Sequence, residues 1–286
     1  MADKRLLVTG AGGMLGQALV ACLESRGHVV IAMPREKLDV TNYEQVVNQL
    51  NQHTPDLILH CAAYTKVDQA ESEPDLAFFI NGYGTENLAV ACNHLNIPLL
   101  YVSSDYVFDG EKNRPYTTWD ETKPLSIYGK TKLAGERAVM RHLRRFYIVR
   151  TSWLYGPNGK NFVETILTMA NEGKPLRVVA DQFGSPTCTL SLSESIADLI
   201  DTERFGVYHA SDDGVTNWYE FAKEIVWDLK AQVSPIQTVD MPRPATRPKY
   251  SVMDKTTLIN TIGRELPTWQ DSLHAYLQLR KTKTLA

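Results

Sequence analysis

Apolar and polar positions alternate in a regular way along the first half of the chain. Residues 4–9, Lys-Arg-Leu-Leu-Val-Thr, form a short apolar run that predicts a buried strand. A glycine-rich turn follows, and then an amphipathic stretch with Leu15, Leu19, Cys22 and Leu23 on one face. The unit then repeats. Strands are expected at 28–33, 56–60, up to Ser103-Ser104, and 146–151. Helices are expected at 42–52, from Asn81 to about His94, and from near Ser126 to about Arg141. Such alternation predicts an α/β protein, a Rossmann-type doubly wound parallel sheet.

Beyond residue 155 the pattern loosens. Helices are expected at 161–170, 191–200, 215–226 and 273–279, and strands at 176–181 and 206–210. Four prolines between Pro235 and Pro248 predict extended chain or loop. The expected division is a dinucleotide-binding domain over 1–155, also using about 188–213. A smaller C-terminal α/β substrate-binding domain is expected over 156–187 and 214–286, as a lid on the carboxyl ends of the strands.

Composition narrows the partners. At 286 residues and 43% hydrophobic content the chain has enough apolar material for a large core. No apolar run approaches eighteen residues, so no membrane span is expected. The first residues are too short in apolar character for a secretory signal. A net charge of -3 without a basic block makes nucleic acid an unexpected partner. The four cysteines, Cys22, Cys61, Cys92 and Cys188, are widely spaced, as suits free thiols in a reducing cytoplasm.

Candidate chemistry sits at the expected strand ends. Gly10, Gly12, Gly13, Met14, Leu15 and Gly16 lie between a strand and a helix. Small residues let the backbone approach a pyrophosphate, and a helix N-terminus offers free N–H groups. After the second strand come Arg35, Glu36 and Lys37. The cations suit a 2'-phosphate and favour NADPH over NADH, whereas Glu36 keeps NADH open. Asp39 lies in a turn or cap and also comes near the expected adenine site. Ala62, Ala63 and Tyr64 follow the third strand, where small residues let a flat cofactor lie on the sheet. Ser104 ends the next strand, and the polar loop after it is a candidate cover for the site.

Tyr128 and Lys132 are four apart, on one face of a predicted helix. A phenol beside an ammonium suits proton donation. With Ser104 and the glycine loop they resemble the catalytic set of the short-chain dehydrogenase/reductase superfamily. His60 is alone at a strand end and reads as a structural hydrogen-bonder, and no His, Cys and carboxylate cluster suggests a metal. Trp153 suits either core packing or ligand stacking. Asp181, Gln182 and Arg247 are loop residues able to meet a polar substrate.

Longer segments carry a narrower resemblance. They are Gly-Ala-Gly-Gly-Met-Leu-Gly-Gln at 10–17, Leu-Asp-Val-Thr-Asn at 38–42 and Cys-Ala-Ala-Tyr-Thr-Lys-Val-Asp-Gln-Ala-Glu at 61–71. They continue with Ser-Ser-Asp-Tyr-Val-Phe-Asp-Gly at 103–110, Tyr-Gly-Lys-Thr-Lys-Leu-Ala-Gly-Glu at 128–136 and Arg-Thr-Ser-Trp-Leu-Tyr-Gly at 150–156. Asn-Phe-Val at 161–163, Ala-Asp-Gln-Phe-Gly-Ser-Pro-Thr at 180–187 and Arg-Pro-Lys-Tyr-Ser-Val-Met-Asp at 247–254 complete the set. In these the chain resembles the dTDP-4-dehydrorhamnose reductase family. The resemblance implies reduction of the C4 ketone of a small-molecule dTDP-sugar, dTDP-4-dehydro-beta-L-rhamnose, by NADPH or NADH. It places the catalytic set on Ser104, Tyr128 and Lys132, with Lys132 also on the cofactor ribose. Substrate contacts fall on Ser104, Asp105, Tyr128, Trp153, Gln182 and Arg247.

Two departures from the family pattern matter. Threonine is usual where this chain has Ser104, which keeps the hydroxyl. Some relatives hold magnesium at a dimer interface through a glutamate after the glycine loop. This chain has Gly16-Gln17-Ala18 there, so magnesium is not expected, and a homodimer is the assembly to test. Related dehydratases carry an Asp-Glu pair after the strand hydroxyl. Here Asp105-Tyr106 lacks the glutamate, which disfavours dehydration. Two other functions remain open: a non-catalytic regulatory subunit of a methionine adenosyltransferase, and a ketoreductase for a different nucleotide sugar.

Overall fold

The apolar runs of the first half become the buried strands of one sheet. The computed structural model describes residues 3–229 and 231–284. Its sheet contains β1 (Arg5–Thr9), β2 (Val29–Met33), β3 (Leu57–His60), β4 (Leu99–Ser104), β5 (Phe146–Thr151) and the strand Gly206–His209. The spatial order is Gly206–His209, β5, β4, β3, β1, β2, and every pairing is parallel. Leu6, Leu7 and Val8 are fully buried because helices cover both faces. Strand order reverses beside β1, so the carboxyl ends of β1 and β3 flank a crevice where ligands bind in such folds.

Each face has its own core. On one, Leu15, Leu19 and Leu23 of the Met14–Ser25 helix pack with Leu192 and Ile196 of the Thr189–Asp201 helix. On the other, Val46, Leu88, Cys92 and Val139 pack over Leu7, Ile58 and Tyr101. A third cluster lies away from the sheet and joins Tyr155, Val163, Leu176, Phe221, Trp269 and Leu273.

The Ile127–His142 helix is seated with unusual closeness. Ser126 caps its start, accepting from Gly129 N at 3.1 Å, and Arg141 and His142 lie in its last turn. At Gly135 a Cβ would stand 2.3 Å from Tyr101 Oη and 2.8 Å from the Asn81 carbonyl oxygen. Only glycine allows this contact.

Three expectations change. The helical stretch expected from Asn81 begins at Pro74, and Asn81 lies inside a π-helical turn, Phe79–Tyr83. Proline suits a helix first turn, but Glu-Ser-Glu-Pro-Asp reads as loop by composition. The polar loop after Ser104 is no free cover: Val107, Phe108 and Tyr116 are buried, with the two rings stacked at 4.2 Å. The Thr256–Ile262 helix was not expected, because its single buried residue, Leu258, gives no periodic signal.

Gly135→Ala is expected to lower unfolding free energy by about 1–3 kcal/mol, the usual cost of overpacking. Urea denaturation would measure it, and an unchanged midpoint would show that the helix does not need this contact.

Candidate active site

The glycine loop fits a dinucleotide. Gly10 has φ +63°, and a Cβ there would lie 2.6 Å from Ala62 N. Gly13 N donates to the Gly10 carbonyl at 2.9 Å, closing the turn, and no side chain caps the Met14–Ser25 helix. Its first N–H groups are therefore left for an anion. The Met14 side chain meets the second half of the chain, accepting from Asn161 Nδ2 at 3.7 Å. Leu15 is buried in the core. Arg35 lies exposed in the turn after β2. Asp39 instead turns its Oδ1 to Thr41 N and Oγ1, at 3.0 and 2.7 Å, while Asn42 caps the next helix.

A line of buried hydrogen bonds runs from the end of β1 to the Tyr128 helix. Thr9 Oγ1 meets His60 Nδ1 at 2.7 Å, and His60 Nε2 meets Thr85 Oγ1 at 3.1 Å. Thr85 Oγ1 already donates to the Asn81 carbonyl at 2.7 Å. His60 therefore carries its proton on Nε2, a tautomer assigned from the network. Burial, with the Lys132 charge, drives its pKa down to about 3, so it is neutral and structural, as its isolation in the sequence suggested. Asn81 Nδ2 donates to Thr131 Oγ1 at 2.9 Å and to the Tyr64 carbonyl at 3.0 Å, and Asn81 Oδ1 accepts from Tyr64 N at 2.7 Å. Thr131 Oγ1 then donates to the Tyr128 carbonyl at 2.7 Å. Ala62, Ala63 and Tyr64 are thus held beside the helix, and the Tyr64 ring shares a cluster with Tyr128.

Ser104 and Tyr128 meet at the carboxyl edge of β4, and Lys132 lies one helical turn beyond Tyr128. Ser104 Oγ donates to Asp105 Oδ1 at 2.8 Å and accepts from Tyr106 N at 3.2 Å. Burial and the Asp105 charge push the Tyr128 phenol up to about 12, and hydrogen bonding with Ser104 works the other way. Tyr106 packs edge-on against Tyr128 at 5.4 Å. Lys132 is buried with its Nζ 4.2 Å over the centre of the Tyr101 ring. Burial pulls its pKa down to about 7, against the raising effect of Glu136 and Cys61. Burial lifts the Asp105 carboxyl to about 6, while the Ser251 and Ser104 hydroxyls work the other way.

The remaining candidates are more committed to protein contacts than the sequence suggested. Trp153 has φ +50°, a strained value for a large side chain, and stacks on Trp218 at 3.7 Å. Gln182 is buried and donates to Thr238 Oγ1 at 3.0 Å, while Asp181 accepts from Thr238. Arg247 grips Asp68 through two bonds of 2.8 and 2.9 Å. Asn81 and Glu136 escaped the sequence reading. A lone asparagine among helical residues carries no pattern, but Glu136, one helical turn beyond Lys132, did. Among the described residues no group of three or more His, Cys, Asp and Glu is placed to hold a metal ion.

Comparison with known proteins then identifies the family. The family described as RmlD substrate binding domain matches residues 4–281. A dTDP-4-dehydrorhamnose reductase of Streptomyces griseus is 44% identical, over 88% of this chain and 86% of that protein. The chain belongs to the dTDP-4-dehydrorhamnose reductase family. A dTDP-4-keto-6-deoxy-D-glucose reductase of Streptomyces niveus is 39% identical, over 87% of this chain and 88% of that protein. The crystal structure of the Bacillus anthracis dTDP-4-dehydrorhamnose reductase in complex with NADP superposes with TM-score 0.93 and 40% identity, covering 96% of this chain and 99% of that one. As a member of the dTDP-4-dehydrorhamnose reductase family, the chain is an oxidoreductase that uses a nicotinamide cofactor.

Asn81→Ala removes three side-chain hydrogen bonds. We expect a loss of about 2–4 kcal/mol in stability together with weaker cofactor binding, because Tyr64 loses its anchor. Thermal unfolding and fluorescence titration with NADPH would measure both, and wild-type values in each would exclude a positioning role.

Proposed function

We propose that the chain reduces the C4 ketone of dTDP-4-dehydro-beta-L-rhamnose to dTDP-L-rhamnose. The observation that supports this most is the hydrogen bonding of Tyr128 with Ser104 at the end of β4, with Lys132 one helical turn along and an uncapped glycine loop at the end of β1. The bound cofactor supplies the hydride. Tyr128 gives its phenolic proton to the C4 oxygen. Ser104 turns its hydroxyl from Asp105 to the same oxygen and stabilises its developing charge. Asp105 borders the sugar beside Ser104. Lys132 holds the nicotinamide ribose hydroxyls. Gly10, Gly12, Gly13, Met14, Leu15 and Gly16 cradle the pyrophosphate, and Ala62, Ala63 and Tyr64 floor the nicotinamide side. Trp153, Gln182 and Arg247 line the substrate side.

NADPH is the cofactor we favour. Arg35 is exposed in the turn after β2, whereas the Asp39 carboxylate is occupied by Thr41 and does not wait for a ribose hydroxyl. We read the chain as two working parts, a dinucleotide-binding part over 1–155 with about 188–213, and a substrate part over 156–187 and 214–286. The reaction belongs in the cytoplasm: all four cysteines are free, and among the described residues no helix is long and apolar enough to cross a membrane. Magnesium has no part in the proposal, since Gln17 stands where some relatives have glutamate. A different 4-keto sugar is the second reading, supported by the differing substrate names among the relatives.

Purified protein given dTDP-4-dehydrorhamnose is expected to oxidise NADPH faster than NADH, followed by absorbance. Tyr128→Phe should keep NADPH binding and lose about 10²–10⁴ in kcat. No turnover with either cofactor would reject the reductase reading for this sugar, and full turnover by the variant would remove Tyr128 from the acid role.

We also propose a homodimer through the outer face of the Tyr128 helix. Phe78, Phe79 and Tyr83 of the neighbouring 74–83 stretch are 39%, 48% and 49% exposed, and line with Lys130, Arg137 and Asp75 a groove along that helix. Mixed charge around an apolar centre suits a self-complementary two-fold contact. Light scattering on the native chain should give twice the monomer mass, and Phe79→Asp the monomer mass. A monomeric native protein at micromolar concentration would reject the contact.

A further inference from the structure

Behind the site lies a buried ion network that the proposed reaction leaves unused. Glu136 is fully buried one turn from Lys132 on the same helix. Its Oε1 accepts from Ser103 Oγ at 2.6 Å and from Arg150 Nε at 2.8 Å, and its Oε2 accepts from the Arg150 guanidinium at 2.7 Å. Arg150 is 5% exposed, lies 5.2 Å over the Phe108 ring and reaches His209 Nε2 at 3.4 Å. A carboxylate so occupied has no need of Lys132 as a bonding partner. Lys132 Nζ instead rests over Tyr101.

The other groups facing Lys132 supply no negative charge. His60, at the end of β3, is held neutral. Burial keeps the Cys61 thiol protonated, raised to about 12. Tyr101 on β4 is raised well above the ordinary tyrosine value. His209, behind Arg150, is driven down to about 3 by burial and by that cation, and so is neutral. Glu136 is the anion left to oppose the cost of burying an ammonium.

We infer that Glu136 is a positioning residue that favours the ammonium form of Lys132 without binding it, and that Arg150 and Ser103 hold its carboxylate to themselves. The lysine receives the field of the carboxylate and keeps its N–H donors for a ligand. Direct pairing would spend those donors, and an apolar residue at 136 would leave the amine neutral. The inference rests on the reading of Lys132 as the lysine that holds the cofactor ribose.

The test follows the lysine itself. The full chain, labelled with ¹³C at lysine Cε, is titrated by NMR, with Lys132→Met to assign the signal. The native midpoint is expected near the value of about 7 that burial imposes. Glu136→Gln should lower it by about one unit, and Arg150→Met should raise it by a similar amount, since the carboxylate then acts on Lys132 uncompensated. The pH at which NADPH binding weakens should move with it. Either variant decides the matter if the other fails to fold. If neither folds, the double variant carries no unpaired buried charge and should lower the midpoint, because Glu136 acts on Lys132 directly and Arg150 acts through Glu136. Midpoints that stay within about 0.2 units of native, with only lower melting temperatures, would reduce the network to a structural role and overturn the inference. An inactive native protein would reject the reductase reading, while the titration would still answer for Glu136.

Discussion

The contact on which the rest depends is the seating of the Ile127–His142 helix against β4. With no side chain at Gly135 the helix reaches the Tyr101 hydroxyl and the Asn81 carbonyl. Gly129 does the same at its other end, where a Cβ would lie 2.2 Å from the Tyr106 carbonyl oxygen. This closeness sets Tyr128 beside the strand-end Ser104 and lays Lys132 over the Tyr101 ring. It also brings Glu136 within reach of Ser103. A helix seated even one methyl group further out would separate these groups, and interiors packed this densely do not readily take up such a shift.

Close seating buries polar groups, and each burial has to be met. The line from Thr9 through His60, Thr85, Asn81 and Thr131 to Tyr128 meets it for the neutral groups. It alternates donors and acceptors, so a single tautomer of His60 satisfies it throughout. The Glu136–Arg150 pair meets it for the charged groups. A buried pair of this kind gives little net stability, but loss of one partner leaves an uncompensated charge. Some of the exceptions lie where the proposed chemistry is. Lys132 sits on a ring, and Trp153 holds a strained backbone. Polar groups left without protein partners at a cleft are what a ligand can satisfy.

The two halves of the chain meet across this cleft. Arg247 brings the proline-rich segment to Asp68, and Asn161 brings the start of a second-half helix to Met14 of the glycine loop. Trp153 stands directly after β5 and stacks on Trp218. The walls of the site are thus fixed by long-range polar and aromatic contacts, whereas its floor is fixed by the sheet.

The sequence by itself determined the alternating architecture, because strand and helix periodicities are local properties of the chain. It also marked the glycine loop and the Tyr128–Lys132 pair, since a tight turn and a helical spacing of four need only neighbours in sequence. The start of the helix at Pro74, the pinned loop at Phe108 and the role of Asn81 were not legible. The first is hidden by a loop-like composition, and the others depend on partners elsewhere in the chain: Phe108 on Met253, Asn81 on Tyr64 and Thr131. Glu136 shows the boundary most plainly. Its place one turn from Lys132 could be read from the letters, but Arg150, which keeps its carboxylate from the lysine, lies on a strand that only the tertiary structure brings alongside. Spacing along a helix reports who shares a face; which buried charge a neighbour offsets is decided by packing across the sheet.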